Sequence, residues 1–296
     1  MTSRPDARPI VVGVDPDPAD RPALAWAADE AGRRELPLRL VHVRATPPAR
    51  YRTRDLEPAW ETWDEALRTL GTEALEHAEA FVRDRHPRVD VSVQLAAGDP
   101  ARVLSEQARE ASAVVLGSRH LTAVEELVRS LSVAVPVIAR AHCPVIVVRE
   151  AEHAVRQHPY VVVGVDGSPD SGTAVDHAFE EAVLRGASLR ALYVWHPPLL
   201  GVMDEHAALQ ECRRLLAEIV AGRTAAHPDV AVHHEVVRGH PVKVLSEASE
   251  HALALVVGAR GLGGFAGLLL GSVSQGVLHH ALSPVIVVPS AEHRAR

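Results

Sequence analysis

Four residues of the 296-residue chain carry a spacing with chemical meaning: Gly258, Gly261, Gly271 and Ser272, or Gly-x2-Gly-x9-Gly-Ser. Gly258 and Gly261 permit a tight turn and let a backbone approach a ligand with no Cβ in the way. Gly271 and Ser272 are expected to open a helix, whose free N–H groups and positive dipole end attract anions. Ser272 adds a hydroxyl donor and is also able to cap that helix. The intervening segment, Leu262 to Leu270, has no charged side chain to repel a phosphate chain. A second cluster is Gly164-Val165-Asp166-Gly167-Ser168, at the end of an apolar run. Asp166 and Ser168 either contact a ligand or cap the next helix.

These residues need a scaffold, and the chain states it twice. Ile10-Val11-Val12-Gly13-Val14-Asp15 returns as Val161-Val162-Val163-Gly164-Val165-Asp166, and each copy closes on Pro-Val-Ile-Val-Val, at Pro144 to Val148 and Pro284 to Val288. The spacing between copies implies ten extra residues in the first, placed in Ala45 to Trp60. The boundary falls in the polar stretch Glu150 to Pro159, giving domains 1–150 and 151–296.

Within the second copy, Val161 to Val165, Leu189 to Val194, Val230 to Val237, Leu253 to Val257 and Val285 to Val288 read as strands. The near-continuous apolar runs are those of strands buried on both faces. Between them, Asp170 to Arg185, His206 to Ala225, Pro241 to His251 and Ser272 to Ala281 read as helices, Pro241 at a favoured first-turn position. Strands separated by helices imply right-handed crossovers and a doubly wound, Rossmann-like α/β sheet. The expected fold is therefore two tandem five-stranded domains, mostly parallel and flanked by helices. In such sheets ligands sit beyond the carboxyl ends of the strands where the winding reverses. Asp166, Val194 and Gly258 should converge there.

Composition removes several function classes. Hydrophobic residues make up 47% of the chain, which marks a packed globular protein. Aromatic content of 3%, a formal charge of −7 and scattered arginines give neither a stacking surface nor a basic stripe for nucleic acid. Cys143 and Cys212 form neither a disulfide framework nor a CxxC metal pair. His233-His234 would point to opposite faces of a strand, and His279-His280 lie about 100° apart on a helix, so no metal site is assigned. No signal-peptide core and no membrane-length apolar run are seen, so the expected location is the cytoplasm.

Gly-x2-Gly-x9-Gly-Ser, the Val-Gly-Val-Asp-Gly-Ser turn and the closing Pro-Val-Ile-Val-Val together resemble the ATP-binding universal stress proteins. The resemblance covers both copies almost end to end. It implies that Asp166 binds ribose and that Gly164, Val194 and Val257 line the adenine. It further implies that Gly258, Gly261, Gly271, Ser272 and the Val273 amide hold the ribose and phosphates. The cofactor implied is ATP, with or without Mg2+. The role implied is regulatory, through nucleotide-dependent conformation or partner binding, with at most slow ATP hydrolysis and no catalytic residue assigned. Closing strands of two such domains pair across a two-fold axis in the family, which in a tandem chain gives an internal pseudo-dimer and leaves a further homodimer open. The first copy departs from the pattern: His120 stands at the Gly261 position and Leu131 at that of Gly271. Glu125 and Glu126 lie in its loop, where like charges about 5 Å apart cost on the order of 1–3 kcal/mol. The first copy is therefore expected to bind ATP poorly. Two other readings stand beside this one. One is a dimeric scaffold that binds AMP or no nucleotide. The other is an adenylating enzyme of the ATP-pyrophosphatase type, for which only Asp170-Ser171 fits the loop.

Overall fold

A computed structural model describes residues 7–16, 21–44, 57–118, 133–149, 158–196, 204–262 and 270–290, with 57–61 as backbone only. The extra segment of the first copy and its loop with His120, Glu125, Glu126 and Leu131 lie mostly or wholly outside the described residues.

The chain divides into two compact units. One is Met1–Cys143 with Val148–Glu150, and the other is Pro144–Val147 with Ala151–Arg296. In the first unit β1 (Ile10–Gly13), α1 (Arg21–Arg34), β2 (Leu38–Arg44), α2 (Glu57–Arg85), β3 (Val91–Ala97), α3 (Pro100–Gln107) and β4 (Ala113–Ser118) alternate. A helix, α4, covers 133–140. The sheet order is β3-β2-β1-β4, and β1 runs parallel to both of its neighbours.

The second unit repeats this with β6 (Tyr160–Val165), α5 (Pro169–Arg185), β7 (Ser188–Trp195), α6 (Glu205–Ala226), β8 (Val232–Arg238), α7 (Pro241–Ser249), β9 (Ala254–Gly258), α8 (Ser272–His280) and β10 (Val285–Val288). Its order is β10-β9-β6-β7-β8, all parallel. Winding proceeds from β6 outward to β7 and β8, then returns to β9 on the other side. The reversal therefore falls between β6 and β9. This unit also takes Val145–Val147, from the strand β5 (Val145–Arg149), antiparallel against Val285–Val287. The closing strand β10 is thereby paired on both edges, which removes an apolar edge able to recruit other chains.

Burial explains the apolar runs. Val161, Val162 and Val163 of β6 and Leu255 and Val256 of β9 are fully buried, because helices cover both sheet faces. Phe179, Ala174 and Ala178 of α5 face the same core. Helix α2 has 29 residues against 22 for α6, so part of the first copy's extra sequence lengthens a helix. Helix α7 stops at Ser249, two residues short of the sequence reading, where Ala252 N–H donates to the Ser249 carbonyl in a turn.

Candidate functional site

At the reversal point the second unit encloses a cavity of about 290 Å³, near the lower bound of about 300–1,000 Å³ usual for small-molecule sites. All nine residues nominated from the sequence line it: Gly164, Asp166, Val194, Val257, Gly258, Gly261, Gly271, Ser272 and Val273. Its walls divide into an apolar and a polar end. Leu192 and Val194 of β7, Val257 of β9, and Pro241 and Leu245 of α7 make the apolar end. The sequence reading missed the α7 pair. The spacing of Pro241 and Leu245 is the signal, since residues four apart share a helix face.

The polar end is built on the first turn of α8. Gly271 is its N-cap and makes no side-chain cap bond, so Ser272 is the first helical residue rather than the cap. The N–H groups of Ser272, Val273 and Ser274 thus belong to the turn that a helix's own ladder leaves open. Ser274, also absent from the sequence reading, turns its hydroxyl inward and donates to the Gly258 carbonyl at 2.6 Å. Gly271 N–H donates to the Ala259 carbonyl at 2.9 Å, so helix start and strand end are tied together. Among the described lining residues Arg260 is the single cation and Asp166 the single carboxylate.

At the two glycines of this turn, crowding rather than a positive φ is what disfavours a side chain. Neither Gly258 nor Gly261 has a positive φ. A Cβ on Gly258 would lie 2.9 Å from the carbonyl carbon and oxygen of Asp170. A Cβ on Gly261 would lie 2.2 Å from Asp166 Oδ2. Asp166 and Ser168 also resolve into separate roles. Ser168 is the N-cap of α5, its hydroxyl oxygen accepting from Ser171 N–H at 3.1 Å. Asp166 Oδ1 accepts from the Ser168 N–H at 2.9 Å and hydroxyl at 2.6 Å, and Oδ2 accepts from Leu262 N–H at 2.9 Å.

Tyr193, on β7 between Leu192 and Val194, senses the same region from behind. Burial pushes its phenol up to about 12, and Cys212 and the charge of Asp166 add to the shift. No group of three or more His, Cys, Asp or Glu side chains able to hold a metal ion occurs among the described residues.

The universal stress protein family model matches residues 7–149 and 160–289. The chain belongs to the universal stress protein family. A universal stress protein of Mycobacterium tuberculosis (strain ATCC 25618 / H37Rv) is 38% identical over 94% of this chain and 96% of its own length. One from Mycolicibacterium smegmatis is 35% identical over 94% of this chain and 96% of its own. Among solved structures, a universal stress protein from Archaeoglobus fulgidus has a TM-score of 0.67, with 18% identity, covering 96% of this chain and 97% of that one. At that identity it shows the shared fold. Both family matches contain the strand-end aspartates, Asp15 and Asp166, but only the second contains the full glycine–serine spacing. No helix among the described residues is long and apolar enough to cross a membrane.

Proposed function

We propose that the second universal stress protein domain binds one adenine nucleotide, ATP by the resemblance of its motif, and that occupancy regulates conformation or partner binding. The observation that carries this reading is the convergence of nine motif-derived residues on one cavity at the sheet's reversal point. The apolar end suits a purine base, and the α8 amides with Arg260 and Ser272 suit phosphates.

Base choice follows from strand ends. Trp195 carbonyl accepts from Gly239 N–H, so it faces β8. Alternate residues of a parallel strand face alternate neighbours, so Val194 faces β6. Strand β6 ends at Val165, paired with Tyr193, so the Val194 carbonyl lies beyond the ladder with no strand partner there. That acceptor matches the 6-amino group of adenine and opposes the 6-carbonyl of guanine. Mg2+, when present, would enter on the nucleotide's phosphates, as it commonly does. The proposed role is binding, with at most slow hydrolysis. The proposed location is the cytoplasm.

Calorimetric titration of the whole chain with ATP and GTP tests the reading. ATP should bind at one site per chain and at least about tenfold tighter than GTP, the worth of one hydrogen bond mismatched for a repelling pair. Equal affinities would remove the adenine assignment, and no heat with either would favour the empty scaffold.

A further inference from the structure

We propose that His196 and His240 form a two-ring rim at the base end of the second unit's cavity and contact the outer part of a bound purine. Such a rim rests on the nucleotide reading and names a further contact within it. Leu192 and Val194 of β7 both line that end. Alternate residues of a strand share a face, which directs His196 to the same side, one step beyond Val194. His240 directly precedes Pro241, another lining residue. The two imidazoles meet there, with ring centroids 6.0 Å apart and planes 81° to each other. Both residues are exposed, so neither ring belongs to a packed core. A cavity of about 290 Å³ is near the lower bound for a small-molecule site, so a ligand as large as a nucleotide reaches its rim. A flat base arriving between perpendicular rings meets the face of one and the nitrogen-bearing edge of the other.

The first repeat supplies an internal comparison. Its helix α3 starts at the cap Asp99, whose Oδ1 accepts from Arg102 N–H at 2.8 Å. The matching position before α7 is His240, which makes no side-chain cap bond. The backbone is the same at both, with φ −82° and ψ 121° at Asp99 and φ −82° and ψ 122° at His240. An aspartate would therefore fit at 240, and histidine there forgoes a favourable cap. A local rule kept in one repeat and broken in the other marks a position that serves something besides folding. Position 240 stands beside the cavity, in the repeat that carries the full glycine–serine spacing.

The test titrates the full chain and its variants with adenosine and with ATP, and follows thermal unfolding beside them. His240→Asp copies the cap of the first repeat. It should raise the unfolding temperature of the second unit by roughly 2–8 °C, the worth of one restored cap. The same variant should weaken adenosine and ATP by a common factor of about fivefold or more, the worth of one base–aromatic contact. His196→Ala should weaken both ligands similarly with no gain in unfolding temperature. A stabilised His240→Asp chain that binds adenosine like the parent would overturn the rim, because the histidine would then be a missing cap and nothing more. Proton resonances of the two imidazoles, assigned through the single variants, give a readout that a structural role would not move. They should shift in the parent chain on saturation with adenosine, and resonances that stay in place would overturn the contact. If the parent chain binds neither adenosine nor ATP, the nucleotide reading fails and the rim falls with it. Normal binding by the parent with unweakened binding by both single variants would sink the rim alone.

Discussion

Replacing Gly258 by alanine adds one methyl group in the least accommodating place at the site. Its Cβ would stand 2.9 Å from the carbonyl carbon and oxygen of Asp170 and 3.0 Å from that residue's Cβ. Comfortable carbon contacts begin at about 3.5 Å, so the shortfall is about 0.6 Å. Neither partner has freedom to yield. Asp170 lies in the first turn of α5, held by the Ser168 cap and by Gly172 N–H on the Ser168 carbonyl at 3.1 Å. Gly258 is held by the Ser274 hydroxyl at 2.6 Å, and its neighbour Ala259 donates to the Val288 carbonyl at 2.8 Å. Overpacking of this kind costs about 1–3 kcal/mol. In a unit of this size that lowers the unfolding temperature by roughly 2–12 °C. The assay is thermal and urea unfolding of the whole chain, followed through the second unit's transition. Gly222→Ala is the matched control, since its added Cβ meets nothing within 4 Å in the interior of α6. It should stabilise by about 0.5–1 kcal/mol through helix propensity. If Gly258→Ala unfolds like the parent while the control behaves as expected, the crowding argument for the glycine motif is wrong.

Further outcomes are expected from groups away from the cavity. Glu181 and Arg185 form an ion pair at 2.8 Å with side chains only 1% and 7% exposed. Glu181→Ala removes the buried carboxylate from this pair and should lower the urea midpoint clearly, whereas Arg214→Ala, which breaks solvent-exposed pairs, should leave it nearly unchanged. An equal effect of the two would contradict the role given to burial. The Tyr193 phenol, raised from 10.0 to about 12, contributes stability present below pH 10 and lost as pH rises toward 12. Tyr193→Phe should flatten stability across that window, and an ultraviolet titration of tyrosinate should lose its highest step. Asp29 behaves with the opposite sign. Burial pulls its carboxyl up, but hydrogen bonds from Arg85 and His86 outweigh this and hold it below 3.8. Its contribution is present above the unfolded carboxyl range and lost as pH falls through the folded value. Asp29→Asn should therefore reduce the acid sensitivity of unfolding below about pH 4.

Much of this architecture is legible in the sequence because parallel strands buried on both faces leave near-continuous apolar runs, as at Val161 to Val163. Asp166, Val194 and Gly258 are legible because the reversal rule places strand ends together before any contact is known, whereas the other nominated cavity residues come from the family resemblance. What resists reading is contact between distant residues. Nothing near Gly258 in sequence names Asp170 as its neighbour, and nothing near Asp166 names the Leu262 amide. Asp166 and Ser168 are equally good caps by type, and only geometry divides them into a loop contact and the α5 cap. The pairing of Val145–Val147 with Val285–Val287 is implied by the family resemblance, in which closing strands pair, and not by the repeat itself, because an identical Pro-Val-Ile-Val-Val serves both copies and does not say which edges meet.

The central claim is a single adenine-nucleotide site in the second unit. The most direct measurement is to denature the full chain as purified from cells, identify any released nucleotide and count it per chain, beside a Gly261→Glu variant. About one adenine nucleotide per chain, absent from the folded variant, is the predicted result. Undiminished nucleotide in the variant would place the site elsewhere. None in the parent chain, with no uptake of added ATP, would contradict the claim outright.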